Sequence, residues 1–360
     1  MKNILLLLTV LTGGIASAQD NMLTEVASFG SHQPIGVTVS QQNRVFVSFP
    51  HNKEFLYALT EIRNGERVPY PNAEWNRYVP EDYGNHFYNV QDIYSENDNL
   101  WVLDSKPAGS ASIIGNTSDK EGRFKLVQIS LSDNQVKKIY YLKNLPKDKS
   151  ALNDVRIDTG RQLAYFSDPG LKAIVILDLK TDTVRIVLKQ DASTTIVPGY
   201  VLKIDAVEMK DDKGKPFTSD INSIALTKDN KYFYYKPINQ DKLFRIETRY
   251  LSDSKLTDKQ LSAKVEIVSN AGPTHGMIAG TNGNIYFGNS PEHAIKHITP
   301  DGKLHTLVTD ERIIWPDSFG ISPDGYLYFS AAQLNRLPKY NNGDDKTEYP
   351  YRIYKIRLPE

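Results

Sequence analysis

No cysteine occurs among the 360 residues. That excludes a disulfide framework, a thiolate metal site, a cysteine nucleophile and a lipid-modified cysteine behind an export signal. Charge of one sign is missing too, since 43 Lys and Arg offset 43 Asp and Glu. Phosphate binding needs a concentrated positive surface, so nucleic acid is not an expected partner. No apolar run reaches the roughly 20 residues that cross a bilayer as a helix. The short run from Ile4 to Leu11 follows Lys2 and precedes Ala16-Ser17-Ala18, the three-part pattern of a cleaved export signal. The expectation is a signal over 1–18, cleavage near Ala18, and a soluble mature domain over 19–360 in the periplasm or outside the cell. HExxH, GxSxG and a Gly-rich phosphate loop are absent as well, which leaves no support for a zinc protease, a serine triad or a nucleotide cofactor.

Helical-period segments between the strands are lacking, which argues against a parallel α/β fold. What is present is one pattern written six times: GVTVSQQNRVFVSFP (36–50), NVQDIYSENDNLWVLDS (89–105), LNDVRIDTGRQLAYFSDPG (152–170), INSIALTKDNKYFYYKP (221–237), THGMIAGTNGNIYFGNS (274–290) and WPDSFGISPDGYLYFSAAQLNRLP (315–338). Each reads as two strands around a tight turn, and an outer hairpin follows. Four-stranded units at a spacing of about 40 to 60 residues are the signature of a β-propeller. The sixth unit has residues for three strands only, while LTEVASF (23–29) belongs to no unit. The predicted fold is therefore all-β: a six-bladed propeller of four-stranded antiparallel blades, with the N-terminal strand closing the last blade. Runs such as AIVILDL, apolar without alternation, agree with strands buried on both faces. A capping box at Thr257 and Gln260 predicts one short helix before a strand over 264–268, and 189–219 reads as an insertion with a small hairpin near 211–214.

In a propeller, the starts of the innermost strands and the loops joining second to third strands share one rim. The strand starts supply Gln33, Gln91 or Asp92, Asn153 or Asp154, Asp220 or Asn222, His275 and Asp317. The loops supply His51, Asp104 and Lys106, Asp168, Lys236, Asn289, and Gln333 or Asn335. Asp and Asn at such points also cap turns by bonding their own backbone. A histidine is less expected as a turn former, so His275 is the candidate for ligand contact and acid–base work. The candidate ligand-binding set is Gln33, Asp154, Asp220, His275, Asp317, Asp168 and Asn289, in which Asp154, Asp220 and Asp317 would pair with an amine. His293, His297 and His305 read as solvated surface near an outer hairpin.

Blocks 89–105, 152–170 and 221–237, and above all IIWPDSFGISPDGYLYFSAAQLNRLP followed by PYRIYKIRL, resemble a bacterial member of the major royal jelly and yellow protein family. The resemblance implies an exported six-bladed propeller. Roles within that family include conversion of dopachrome-like pigment precursors, binding of biogenic amines in the channel, and nutritive or structural duties, so enzyme and binder both stay open. A more distant similarity is to the calcium-dependent lactonases of the gluconolactonase and senescence-marker group, whose metal is held by a Glu, two Asn and an Asp. Asn153 and Asn222 match the Asn positions and would be the metal ligands here. Gln33 stands in place of the Glu and His275 in place of the Asp. Calcium is the one cofactor this similarity brings into view, and it prefers charged oxygen ligands.

Overall fold

The computed structural model describes residues 23–51, 56–109 and 119–359. The export signal expected over 1–18 lies outside the described residues. Each repeat forms a four-stranded antiparallel sheet, six in all. Blade one comprises Val37–Val39, Val45–Ser48, Leu59–Arg63 and Glu66–Pro69. Blade two comprises Val90–Glu96, Asn99–Lys106, Arg123–Ser130 and Val136–Tyr140, and blade three Val155–Asp158, Leu163–Asp168, Ala173–Asp178 and Thr183–Val187. Blade four comprises Ile221–Leu226, Tyr232–Pro237, Lys242–Glu247 and Glu266–Asn270, and blade five Met277–Ala279, Ile285–Asn289, Ala294–Ile298 and Leu304–Thr309. Blade six runs outward through Pro316–Ile321, Tyr326–Ala331 and Arg352–Arg357, and its outermost strand is the N-terminal Thr24–Ser28. That closing strand pairs Thr24 with Lys355 and Ser28 with Arg352, as the surplus strand in the sequence required.

The inner strands touch one another in a closed circle around the axis. Every blade-to-blade face is filled by its own apolar cluster. Between blades two and three lie Tyr94, Leu103, Val155 and Phe166. Between three and four lie Tyr165, Ile176, Ile224 and Phe233. Tyr165 and Phe166, adjacent on one strand, serve opposite faces because successive strand side chains point to opposite sides. Burying one such side chain contributes about 1.5–3 kcal/mol, so these faces, rather than exposed edge pairs such as Arg352–Glu25 at 3.0 Å, hold the ring.

At the rim away from the cavity described below, the turn between first and second strands carries a left-handed residue in every blade: Asn43, Asn97, Gln162, Asn230, Gly283 and Gly325. Asn tolerates that conformation and Gly adopts it freely, which is why those types recur there. Two details differ from expectation. The Thr257 capping box forms, but two short helices are present, Thr248–Ser252 and Asp258–Ser262. The outer strand starts at Glu266 because Lys264 and Val265 still bond back to Leu261 and Ser262. The insertion forms the expected turn at Asp211–Gly214 and adds a two-stranded ladder, Lys203–Ile204 with Val207–Glu208.

Candidate functional site

The inner strands of blades two, four and six begin with register shifts, at Val90/Asp92, Ile221/Ser223 and Pro316/Phe319. A bulge kinks the strand and re-aims the extra side chain. Here it directs Gln91, Asn222 and Asp317 into the channel mouth, where they line a cavity of about 200 Å³. Asn153 and Asp220, at the equivalent points of blades three and four, line it as well. The apolar part of the lining includes Trp315, Phe217, Leu152 and Leu334. A cavity of roughly 150 Å³ accommodates benzene, so this one is of single-ring size.

Aromatic order dominates one side. Trp315 is buried, has a left-handed backbone at φ 51, and stacks on His275 at 3.8 Å between ring centroids. Phe217 meets the indole edge-on at 5.4 Å and Tyr340 at 6.0 Å. Phe217 comes from the insertion, whose Leu202, Ile204 and Met209 pack with Trp315 and Leu334 in a cluster belonging to no blade face. The insertion thus forms one wall of the mouth. Its tip is clasped by Asp205, whose Oδ1 lies 2.6 Å from His293 Nε2 and whose Oδ2 lies 3.6 Å from Arg336. His293, expected at the surface, is instead buried by this clasp.

Carboxylates gather beside the indole, and of these Asp317 and Asp220 line the cavity. The indole Nε1 of Trp315 donates to Asp317 Oδ1 at 2.9 Å. Burial nevertheless pushes Asp317 up to about 7, with the Asp92 charge adding to the effect. Asp92 accepts from the Val155 amide at 2.9 Å and from Arg156 at 3.1 Å. Arg156 is buried and also donates to the Met277 carbonyl. Asp154 is half-buried and receives the Asn153 amide at 2.9 Å, while Gln91 donates to Asn153 at 3.2 Å. Burial, then the neighbouring Asp92 and Asp317, lift Asp154 well above the usual carboxylate range. Asp220 accepts from the Ile196 amide and pairs with Lys172 at 3.2 Å.

The remaining candidates lie elsewhere. His275 does not line the cavity: it is 1% exposed behind Trp315, and neither ring nitrogen has a partner among the described residues. Burial, then the charge of Lys236, lower it to about 3, so the ring is neutral. Lys236 is fully buried on the Pro237 and Gln240 carbonyls and is itself lowered to about 7 by burial. Gln33 donates to the Ala332 carbonyl at 2.6 Å. Asp168 accepts from Ser150, Ala151 and Leu171, and Asp104 from Tyr88 and Asn89. Asn289 caps Ser290–Glu292 through the Glu292 amide. His51 stacks on Tyr78 at 4.1 Å. Gln333 bonds both ways with the Glu348 backbone.

The residues at the calcium positions do not fit calcium. Gln33 is spent on backbone, His275 is screened by Trp315, and Asn153 is committed to Gln91 and Asp154. Among the described residues no group of three or more His, Cys, Asp or Glu could hold a metal ion. Sequence reasoning missed Trp315, Phe217 and Arg156 as parts of this site. The signals were an insertion with apolar residues that no blade needs, and an arginine set between Val155 and Ile157 in an innermost strand.

The profile of the family described as major royal jelly protein matches residues 92–360. No curated protein matches the chain. Among solved structures, it is similar to a gluconolactonase of Xanthomonas campestris, at 9% identity over 95% of this chain and 90% of that one, with a TM-score of 0.55. It is similar also to the calcium-binding regucalcin of Agrobacterium tumefaciens, at 12% identity over 93% of each chain and a TM-score of 0.54. A streptogramin B lyase aligns at 14% identity over 94% of this chain and 98% of that one, with a TM-score of 0.52. At these identities the likeness is one of fold. No helix among the described residues is long and apolar enough to cross a membrane.

Proposed function

This chain belongs to the major royal jelly protein family, and from that premise we propose that it is an exported propeller whose channel mouth binds a small polar or aromatic molecule, an amine or a catechol-derived compound. One observation carries this reading: a cavity of about 200 Å³ sets the Trp315 and Phe217 wall beside Asp317, with Asp154 close enough to feel the Asp317 charge. An aromatic ring gains from stacking, and an ammonium group gains from a carboxylate in a partly desolvated site. The N-terminal charge and hydropathy pattern supports export, which N-terminal sequencing of chain recovered outside the cytoplasm tests. Calorimetry against phenylethylamines, catechols and sugar acids tests the ligand class. Micromolar binding of an aromatic amine, weakened about tenfold or more in Asp317→Asn, is the expected result. An empty panel, or affinity unchanged in Asp317→Asn, disposes of the assignment.

A second reading, proton transfer on a cyclised catechol of the dopachrome type, is favoured by Asp317, which at about 7 exchanges a proton near neutral pH. Its test is dopachrome decay with wild type and Asp317→Asn. Rates equal to the protein-free control end that reading. Calcium-dependent lactone hydrolysis has less support, because the donor set at Gln33, Asn153, Asn222 and His275 does not suit the ion.

A further inference from the structure

Blade five carries, away from the channel mouth, two imidazoles that the reading above does not use. His297 lies in its third strand and His305 in its fourth, directly opposite in the antiparallel register. Their rings stack at 5.1 Å between centroids and 19° between planes. Tyr286 stands opposite His297 on the second strand and packs against it at 5.3 Å. The tyrosine hydroxyl accepts from the Asn282 and Asn284 amides. The row Tyr286, His297, His305 therefore backs a half-buried imidazole with a fixed ring and leaves an exposed imidazole in front of it.

The Nδ1 of His297 is buried with no hydrogen-bond partner among the described residues. An unmet buried polar atom costs about 1–3 kcal/mol, and a phenyl ring would stack here without that cost. A paired, uncommitted set of imidazoles has a chemical use that stacking alone does not explain.

We propose that His297 and His305 form a cross-strand chelate for a late first-row divalent cation, copper(II) foremost, with nickel(II) and zinc(II) as weaker occupants of the same donors. Imidazole nitrogen suits these ions, and copper(II) leads their order of affinity. The exposed His305 turns about its side-chain bonds to bring a nitrogen to the roughly 2.0–2.1 Å that a metal–imidazole bond requires, while His297 stays braced by Tyr286. Water completes the coordination, since no third acidic, histidine or cysteine ligand joins the pair among the described residues. The site has nitrogen donors, lies on the outer half of the blade, and is separate from the calcium positions at the channel. Metal bound there ties the outermost strand of blade five to its neighbour.

The test is a calorimetric titration of copper(II) into the full chain in a non-coordinating buffer, with electron paramagnetic resonance of the bound ion, for wild type, His305→Ala and His297→Ala. The expected result is one copper per chain with two nitrogen donors, and affinity reduced roughly tenfold or more in His305→Ala because the chelate is lost. Copper also raises the melting temperature of wild type more than that of His305→Ala. His305 is exposed, so its replacement leaves the blade folded. His297→Ala supplies the second check. Absence of copper binding by wild type, or equal affinity and equal spectra in wild type and His305→Ala, overturns the proposal.

Discussion

Gly276 lies against the backbone of Asp317 so closely that a Cβ at Gly276 would fall 1.8 Å from the Asp317 carbonyl oxygen. The inner strands of blades five and six meet there with no side chain between them. That contact sets how far Asp317 reaches into the mouth. The obstruction is backbone, so no rotamer change relieves it, and Gly276→Ala is expected to cost about 1–3 kcal/mol. Urea unfolding measures that cost. Calorimetry with the best ligand of the panel is expected to show weaker binding in the same variant, because Asp317 is displaced.

Stability should respond to pH in opposite senses at Asp317 and His275. Asp317 has its folded value raised from 3.8 to about 7, so the folded state holds the proton more tightly, and its contribution is complete at low pH and lost as pH rises through about 7. His275 is lowered from 6.5 to about 3, so the unfolded chain takes up a proton that the folded ring refuses, and stability is lost as pH falls below about 6.5. Relative to wild type, Asp317→Asn is therefore expected to gain about 1–3 kcal/mol more at about pH 8 than at about pH 4. His275→Phe, which keeps the stack on Trp315, is expected to gain more at about pH 4 than at about pH 8. Denaturant melts of both variants across this range check the signs.

Asp168 offers a contrast with Asp317. Its carboxylate is fully buried and accepts from the Ser150 hydroxyl at 2.5 Å and from the Ala151 and Leu171 amides, each at 2.9 Å. Asp168→Asn turns a donor toward those donors and is expected to cost about 1–3 kcal/mol. Ligand affinity of the folded fraction should be unchanged. A large loss of affinity without loss of stability would contradict the structural role.

The Asp205 clasp is expected to govern the insertion without governing the ring. In Asp205→Ala, amides over 197–217 should exchange faster with deuterium, while those of the blade cores keep their protection. Hydrogen exchange read by mass spectrometry distinguishes this from a global loss of stability, which would quicken every blade together.

The ring was legible in the sequence because the blade is a repeated local pattern and because a lone strand, LTEVASF, needed a partner. Asn153, Asp220, Asn222 and Asp317 were legible as mouth residues for the same reason: repetition marks equivalent points. Asp168, Asn289 and Gln33 occupy points that look the same but are taken up by backbone groups. Capping a turn and touching a ligand call on the same residue types, and spacing does not reveal which way a carboxylate turns after a bulge. Trp315 was harder still. Its stacking on His275 depends on a left-handed backbone at φ 51 and on an insertion that packs against it from a distant part of the chain. His275 was read as facing the channel because its position in the repeat faces it; the indole laid over it is a tertiary fact with no one-dimensional trace.

The strand that completes blade six has a consequence for how the chain comes into being. Glu25 and Arg352, joined across that last pairing, are 327 residues apart. Thermodynamically the distance matters little, since each doubling of a loop costs only about 0.6 kcal/mol more. Kinetically it matters a great deal. During synthesis Glu25 leaves the ribosome 327 residues ahead of Arg352, so until that partner strand follows, the growing ring is an open arc with an uncovered apolar face at either end.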